Sequence, residues 1–93
     1  MELSVVIPVR NEAANIAPLV GEIAVALGDG IDYEIVYVDD GSSDGTEAEI
    51  ERLQAGRPAL RLVRHRARAG QSAAIRSGVR AARGDWIATL DGD

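Results

Sequence analysis

Two short runs constrain this 93-residue chain more than anything else in it: Leu3–Pro8 (LSVVIP) and Tyr33–Asp39 (YEIVYVD). Both are apolar and β-branched almost without interruption, which suits strands covered on both faces of a parallel sheet. Parallel neighbours need a long crossover, and the sequence between the two runs supplies a helical one. Ile16, Leu19, Val20, Ile23, Ala24 and Leu27 recur at helical spacing and make a single apolar stripe. Asn15 is placed to cap that helix, Pro18 falls in its first turn, and Gly28 and Gly30 end it.

The pattern then repeats. Leu60–Arg64 (LRLVR) and Trp86–Leu90 (WIATL) read as two further strands, with Trp86 expected in the core or at the sheet's edge. Asp44 followed by Glu47 resembles a capping box opening a second helix, whose apolar face of Ala48, Ile50 and Leu53 is thinner. A third helix follows Gly70 and carries Ala74, Ile75, Gly78, Val79 and Ala82 on one side. The order β-α-β-α-β-α-β predicts an α/β fold in one small domain, a parallel sheet with helices on both faces. Right-handed crossovers stack the second and third strands to one side of the first. A fourth on the other side gives the order 3-2-1-4, and ligands of such sheets bind past the strands' carboxyl ends at the switch point, here between strands one and four.

Composition narrows the chemistry. The chain has no cysteine, which excludes disulfides and thiolate metal sites. Its one histidine, His65, cannot build a zinc site without carboxylates and reads as a surface residue at a strand end. An apolar content of 46% is too high for a disordered chain. No apolar run approaches the ~20 residues of a membrane span, and the N-terminus lacks a signal-peptide layout, so a cytoplasmic location is expected. All ten basic residues are arginine; eight lie between Arg57 and Arg83 with no acid among them, whereas Met1 to Glu51 holds twelve acids and one arginine, Arg10. Such faces either pair with each other in solvent or present a cationic side to phosphates. Nucleic acid is disfavoured as a partner, because no aromatic residues interleave with the arginines and the formal charge is −5.

Three of the four strands run into polar clusters: Pro8-Val9-Arg10-Asn11-Glu12, Asp39-Asp40-Gly41-Ser42-Ser43-Asp44-Gly45 and Asp91-Gly92-Asp93. Acids and glycines end strands as ordinary turn residues, which accounts for any one cluster. A parallel sheet, however, gathers Glu12, Asp39, Asp40, Asp91 and Asp93 at one edge, where their repulsion calls for a cation or for hydrogen-bond donors. Asp40 to Glu51 also matches a calcium EF-hand loop in part, but Glu47 stands where an apolar residue belongs and a strand precedes the loop. The terminal IATLDGD resembles the D-x-D strand of haloacid-dehalogenase-type phosphatases, whose motif sits on an early strand. A dinucleotide-binding fingerprint is excluded, since PVRNEAAN contains no glycine.

Taken together, VVIPVRNEAANI, EIVYVDDGSSDGT, RAGQSAAIRSGVRAARGD and ATLDGD resemble, in order and spacing, the N-terminal half of family 2 glycosyltransferases with the Rossmann-like GT-A fold. The nearest branch looks like the dolichyl- or polyprenyl-phosphate mannosyl- and glucosyltransferases. The resemblance implies inverting transfer of a sugar from a nucleotide-diphosphate donor, GDP-mannose or a UDP-sugar, to an acceptor that includes polyprenyl phosphate. It implies that Pro8, Arg10 and Glu12 line the ribose and base site, that Val38 and Asp40 flank the base, and that Asp40 accepts from a ring N–H. Asp39 would brace its loop. Asp91 and Asp93 match the family's D-x-D, which holds Mg²⁺ or Mn²⁺ against the diphosphate, with Gly92 letting the backbone approach. Arg68 and the start of the third helix at Gly70-Gln71-Ser72 could meet a phosphate, while Arg76, Arg80 and Arg83 read as a solvated face.

The resemblance also implies that the acceptor pocket and the carboxylate that deprotonates the acceptor follow Asp93, so the chain is expected to be a partial sequence. A non-catalytic α/β nucleotide-binding module stays open as the alternative. Purified residues 1–93 are therefore expected to bind a nucleotide sugar weakly and to transfer nothing; sugar transfer from a radiolabelled donor would overturn this.

Overall fold

The computed structural model describes residues 1–92. Its elements run β1 (Leu3–Val9), α1 (Ala13–Leu27), β2 (Tyr33–Asp40), α2 (Thr46–Gln54), β3 (Leu60–His65), α3 (Gln71–Ala81) and β4 (Trp86–Thr89). The strands form one parallel sheet in the order β3-β2-β1-β4, as the crossover rule requires. The period-2 alternation of each strand divides the core between its two faces. Val5, Ile7, Val9, Ile35 and Tyr37 pack under Ile16, Val20 and Ile23 of α1 and Ile50 of α2. Val6, Val36 and Val38 point the other way, under Ala74 of α3. On that side Gly78 lets α3 settle directly on the sheet, because a Cβ there would run into Val6 Cγ1.

Both expected helix starts move, for reasons of tertiary contact. α1 begins two residues before Asn15, with Glu12 as its N-cap. Glu12 N–H is donated across the loops to Thr46 Oγ1 at 2.9 Å, which fixes where the chain turns into the helix. Asn15 lies inside α1 and donates to Glu12 Oε2 at 2.6 Å, while Pro18 falls in the second turn on the exposed side. In α2 the N-cap is Gly45, and Asp44 acts from one residue upstream by accepting from Thr46 N–H at 2.9 Å. Glu47 does not close a capping box; it pairs with Arg64 of β3.

A proline in an inner strand needs an account. The bonds Trp86 N–H to Glu2 O and Leu90 N–H to Val6 O show that even-numbered residues of β1 face β4. Pro8 is the next of that series and lies past β4's last paired residue, Thr89, so its missing N–H breaks no ladder bond. Trp86 takes the edge position rather than the core, at 76% exposure. Among the described residues no helix is long and apolar enough to cross a membrane.

At the amino-terminal end of the strands lies a buried polar network the sequence did not advertise. Glu34 of β2, 1% exposed, accepts from Ser4 Oγ of β1 at 2.6 Å, from Arg61 Nη1 of β3 at 2.8 Å and from Arg83 N–H at 2.7 Å. Arg61 also donates to Ala81 O at the end of α3, and Gly84 N–H donates to Ser4 Oγ. Burial opposes ionisation of Glu34, but the hydrogen bonds from Ser4, Arg61 and Arg83 outweigh it and hold the carboxyl below its ordinary 4.5. A depressed folded value means that the Glu34 contribution is complete above about pH 4.5 and is lost as pH falls through the folded value.

Two substitutions test this account. Glu34→Ala strands the donors of Ser4, Arg61 and Arg83 and is expected to cost about 3 kcal/mol in denaturant unfolding at pH 7, toward the low end for a broken buried pair because Arg61 can partly resolvate. The loss should shrink as the pH is taken down toward 3. Tyr37, by contrast, has a wholly buried hydroxyl with no partner among the described residues, and burial pushes it up to about 12. Tyr37→Phe removes a desolvated donor and should leave stability unchanged or raise it by up to ~1 kcal/mol.

Candidate functional site

The carboxyl ends of β1 and β4 diverge beside the start of α3, and a cleft of about 300 Å³ opens there. Pro8 and Val9 line it from β1, Arg10 from the loop directly after, Asp91 and Gly92 from the segment after β4, and Asp40 from β2. Glu12 at the N-cap of α1 closes one side, and Arg68, Gln71 and Ala74 form the wall from the β3–α3 loop and α3. This is the switch point of the 3-2-1-4 sheet.

Two latches hold the loops that shape the cleft. Asn11 takes a left-handed backbone, φ 56°, which asparagine tolerates better than most residues. From there its Oδ1 accepts from Ser43 N–H at 2.8 Å, and its own N–H is donated to Ser42 Oγ at 2.9 Å, tying the β1–α1 loop to the β2–α2 loop. Gly41, φ 73°, forms the second latch: a Cβ there would lie 2.6 Å from Arg68 N and 2.9 Å from Ala67 C. The β2–α2 and β3–α3 loops touch backbone to backbone at that point, and glycine permits it.

The two aspartates that end β2 divide their labour. Asp39 accepts from Ser42 N–H at 3.1 Å and braces its own loop; it faces away from the first cleft into a second, of about 480 Å³, with Glu47, Arg64 and His65. Asp40 faces the first cleft and holds the neighbouring loop. Its Oδ1 accepts from Ala69 N–H at 2.9 Å and lies 2.8 Å from His65 Nδ1, while Oδ2 accepts from Gly70 N–H at 2.9 Å. Burial pushes the Asp40 carboxyl up, yet these donors outweigh burial and keep it below the ordinary 3.8, so it is ionised at neutral pH. An ionised carboxylate offers about four acceptor positions, and one remains on Oδ2.

Of the expected site residues, Pro8, Arg10, Glu12, Asp40, Asp91 and Gly92 share this cleft. Val38 does not. It is 0% exposed and packed with Val6 and Val36 beneath α3, two residues back from Asp40 on the same sheet face, where the helix covers the strand. Asp93 lies outside the described residues. His65 is corrected as well: its side chain is 17% exposed and bonded at both ring nitrogens. Asn11 and Ser42 are not marked out by the strand-end clusters as more than turn residues; an asparagine directly after a strand, where the chain must reverse, is the available signal. The arginine-rich stretch splits in the same way. Arg61 and Arg64 pair with Glu34 and Glu47, Arg76 and Arg80 are exposed on α3, and Arg68 with Arg10 lines the cleft.

The cleft suits a divalent cation shared with a phosphorylated ligand. Gly92 is tucked against β1 so closely that a Cβ would meet Val9 Cγ1 and lie 2.7 Å from Pro8 O, which seats Asp91 at the cleft mouth. Among the described residues no three carboxylate or imidazole groups form a ready cage. A hard cation held here would draw its remaining oxygens from diphosphate and water, the usual arrangement for magnesium and its analogues.

Comparison with known proteins agrees with this geometry. Residues 4–93 match the family Glycosyl transferase family 2. The chain is 42% identical over 99 residues to a dodecaprenyl-phosphate galacturonate synthase of Rhizobium johnstonii, covering 100% of this chain and 28% of the relative. It is 38% identical over 93 residues to a dolichol-phosphate mannosyltransferase of Pyrococcus furiosus, covering 100% and 26%. A mannosyltransferase from Pyrobaculum calidifontis, solved in complex with GDP-Man and Mn²⁺, superposes with a TM-score of 0.86 at 30% identity over 99% of this chain and 27% of that one. The chain thus spans less than a third of the length of these relatives. With the strand order, the cleft and the family match in agreement, the chain belongs to glycosyl transferase family 2 and carries its GT-A fold.

Proposed function

We propose that this chain is the donor-binding part of an inverting, metal-dependent glycosyltransferase that moves a sugar from a nucleoside diphosphate to a polyprenyl phosphate at the cytoplasmic face of a membrane. The observation that carries the reading is the meeting of Glu12, Asp40 and Asp91, from three different strand ends, in one cleft with Arg10 and Arg68. Glu12 accepts from ribose hydroxyls through the oxygen not engaged by Asn15. Asp40 accepts a ring N–H of the base at its remaining Oδ2 position. Arg10 and Arg68 offset the diphosphate charge, helped by the N–H groups that open α3.

Asp91, together with Asp93, is assigned to Mg²⁺ or Mn²⁺. When bound, the cation stabilises the charge that develops on the departing diphosphate. The similarity to a mannosyltransferase seen with GDP-Man and Mn²⁺ supports this assignment, and the similarity to polyprenyl-phosphate enzymes supports the acceptor class. Val38, packed beneath α3, makes no side-chain contact with the base.

Calorimetric titration of the chain with GDP and with UDP, each with and without Mn²⁺, tests the reading. Binding of at least one nucleotide should need the metal, and Asp91→Ala should weaken it by about tenfold or more, the loss of a charged contact at the cation. Equal binding without metal, or equal binding by Asp91→Ala, would overturn it.

A further inference from the structure

The side chain of His65, at the last position of β3, joins two elements that the sheet alone leaves separate. Its Nδ1 lies 2.8 Å from Asp40 Oδ1, and its Nε2 lies 2.8 Å from Ser77 Oγ on α3. The connectivity Ser–His–Asp is that of a hydrolytic triad. Ser77, however, sits in the middle of α3 and lines neither described cleft, so its hydroxyl does not face a ligand bound in either. The chain of bonds holds groups in place and attacks nothing.

What it holds is Asp40. The other donors to that carboxylate, Ala69 and Gly70 N–H, belong to a loop, whereas His65 belongs to the sheet. The terminal torsion of an aspartate is broad and loosely restrained, so a carboxylate held by loop donors alone can swing. Because ionised Asp40 is an acceptor, Nδ1 carries the proton, and in the neutral ring Nε2 accepts from the Ser77 hydroxyl. Asp40 thereby sets the tautomer, and Ser77, bonded at the opposite nitrogen, helps hold the plane of the imidazole.

We propose that His65, oriented by Ser77, is a positioning residue that fixes the Asp40 carboxylate so that its unused Oδ2 position meets the nucleobase. This rests on the assignment of the cleft to a nucleoside diphosphate. Neither residue touches the diphosphate in this arrangement, so its effect is confined to base recognition.

The test compares His65→Leu, which removes both bonds, with His65→Asn, whose amide can replace the Nδ1 donor. The probes are UDP, GDP and inorganic pyrophosphate, each with Mn²⁺. His65→Leu should bind the preferred nucleotide about tenfold more weakly, as expected for losing a charge-assisted hydrogen bond, with pyrophosphate affinity unchanged. His65→Asn should recover most of the loss, and Ser77→Ala should show a smaller loss of the same selectivity. If the wild-type chain binds nucleotide and His65→Leu binds it equally, the positioning role is overturned while the cleft assignment stands. Parallel losses of nucleotide and pyrophosphate, with a lowered melting temperature and no recovery in His65→Asn, overturn it as a merely structural effect. A wild-type chain that binds none of the probes overturns the cleft assignment and this role with it.

Discussion

One buried carboxylate, Glu34, fastens the molecule at the end away from its cleft. Hydrogen bonds from Ser4, Arg61 and Arg83 reach it from β1, β3 and the α3–β4 connection, so three strands and the end of α3 meet at one charge. An isolated charge at 1% exposure would be strongly disfavoured. Supplied with three donors it becomes a constraint on register, because a one-residue slip of any participating strand would turn a partner to the opposite face. A chain this short has a modest core, which gives such a junction weight relative to packing.

That fixed end allows the other end to be built from loops. Strand tips at Val9, Asp40 and His65 are set by the sheet, and the loops beyond them are tied to one another by Asn11, by Gly41 and by the donors to Asp40. The result is a cleft whose charged groups come from positions far apart in sequence, placed by a parallel sheet that brings every carboxyl end to one edge. Rigid strands locate the groups, and short loops with few degrees of freedom aim them.

Much of this could be read from the chain. Apolar β-branched runs and one stripe at helical spacing were enough for element order and strand order, and the acidic strand ends pointed to the edge where the cleft lies. What could not be read was set by contacts between distant residues. Val38 shares a sheet face with Asp40, yet it lies two residues back along the strand, where α3 covers it. The start of α1 depends on Thr46, more than thirty residues away. Arg61 belongs to a stretch that suggests a phosphate-binding face, but Glu34 claims it. His65 looks like a strand-end surface residue until the positions of Asp40 and Ser77 are known. Local pattern carries little information about which polar groups will find one another.

Pro8 has a consequence of its own. Continued past Leu90, the ladder between β1 and β4 would next require a donor from position 8, and an imino acid has none to give. The ladder between β1 and β4 thus ends where β1 has no further donor to offer. Asp91 follows directly after that point and lines the cleft, so the place where one ring withholds a donor is also the place where the acid meets the site.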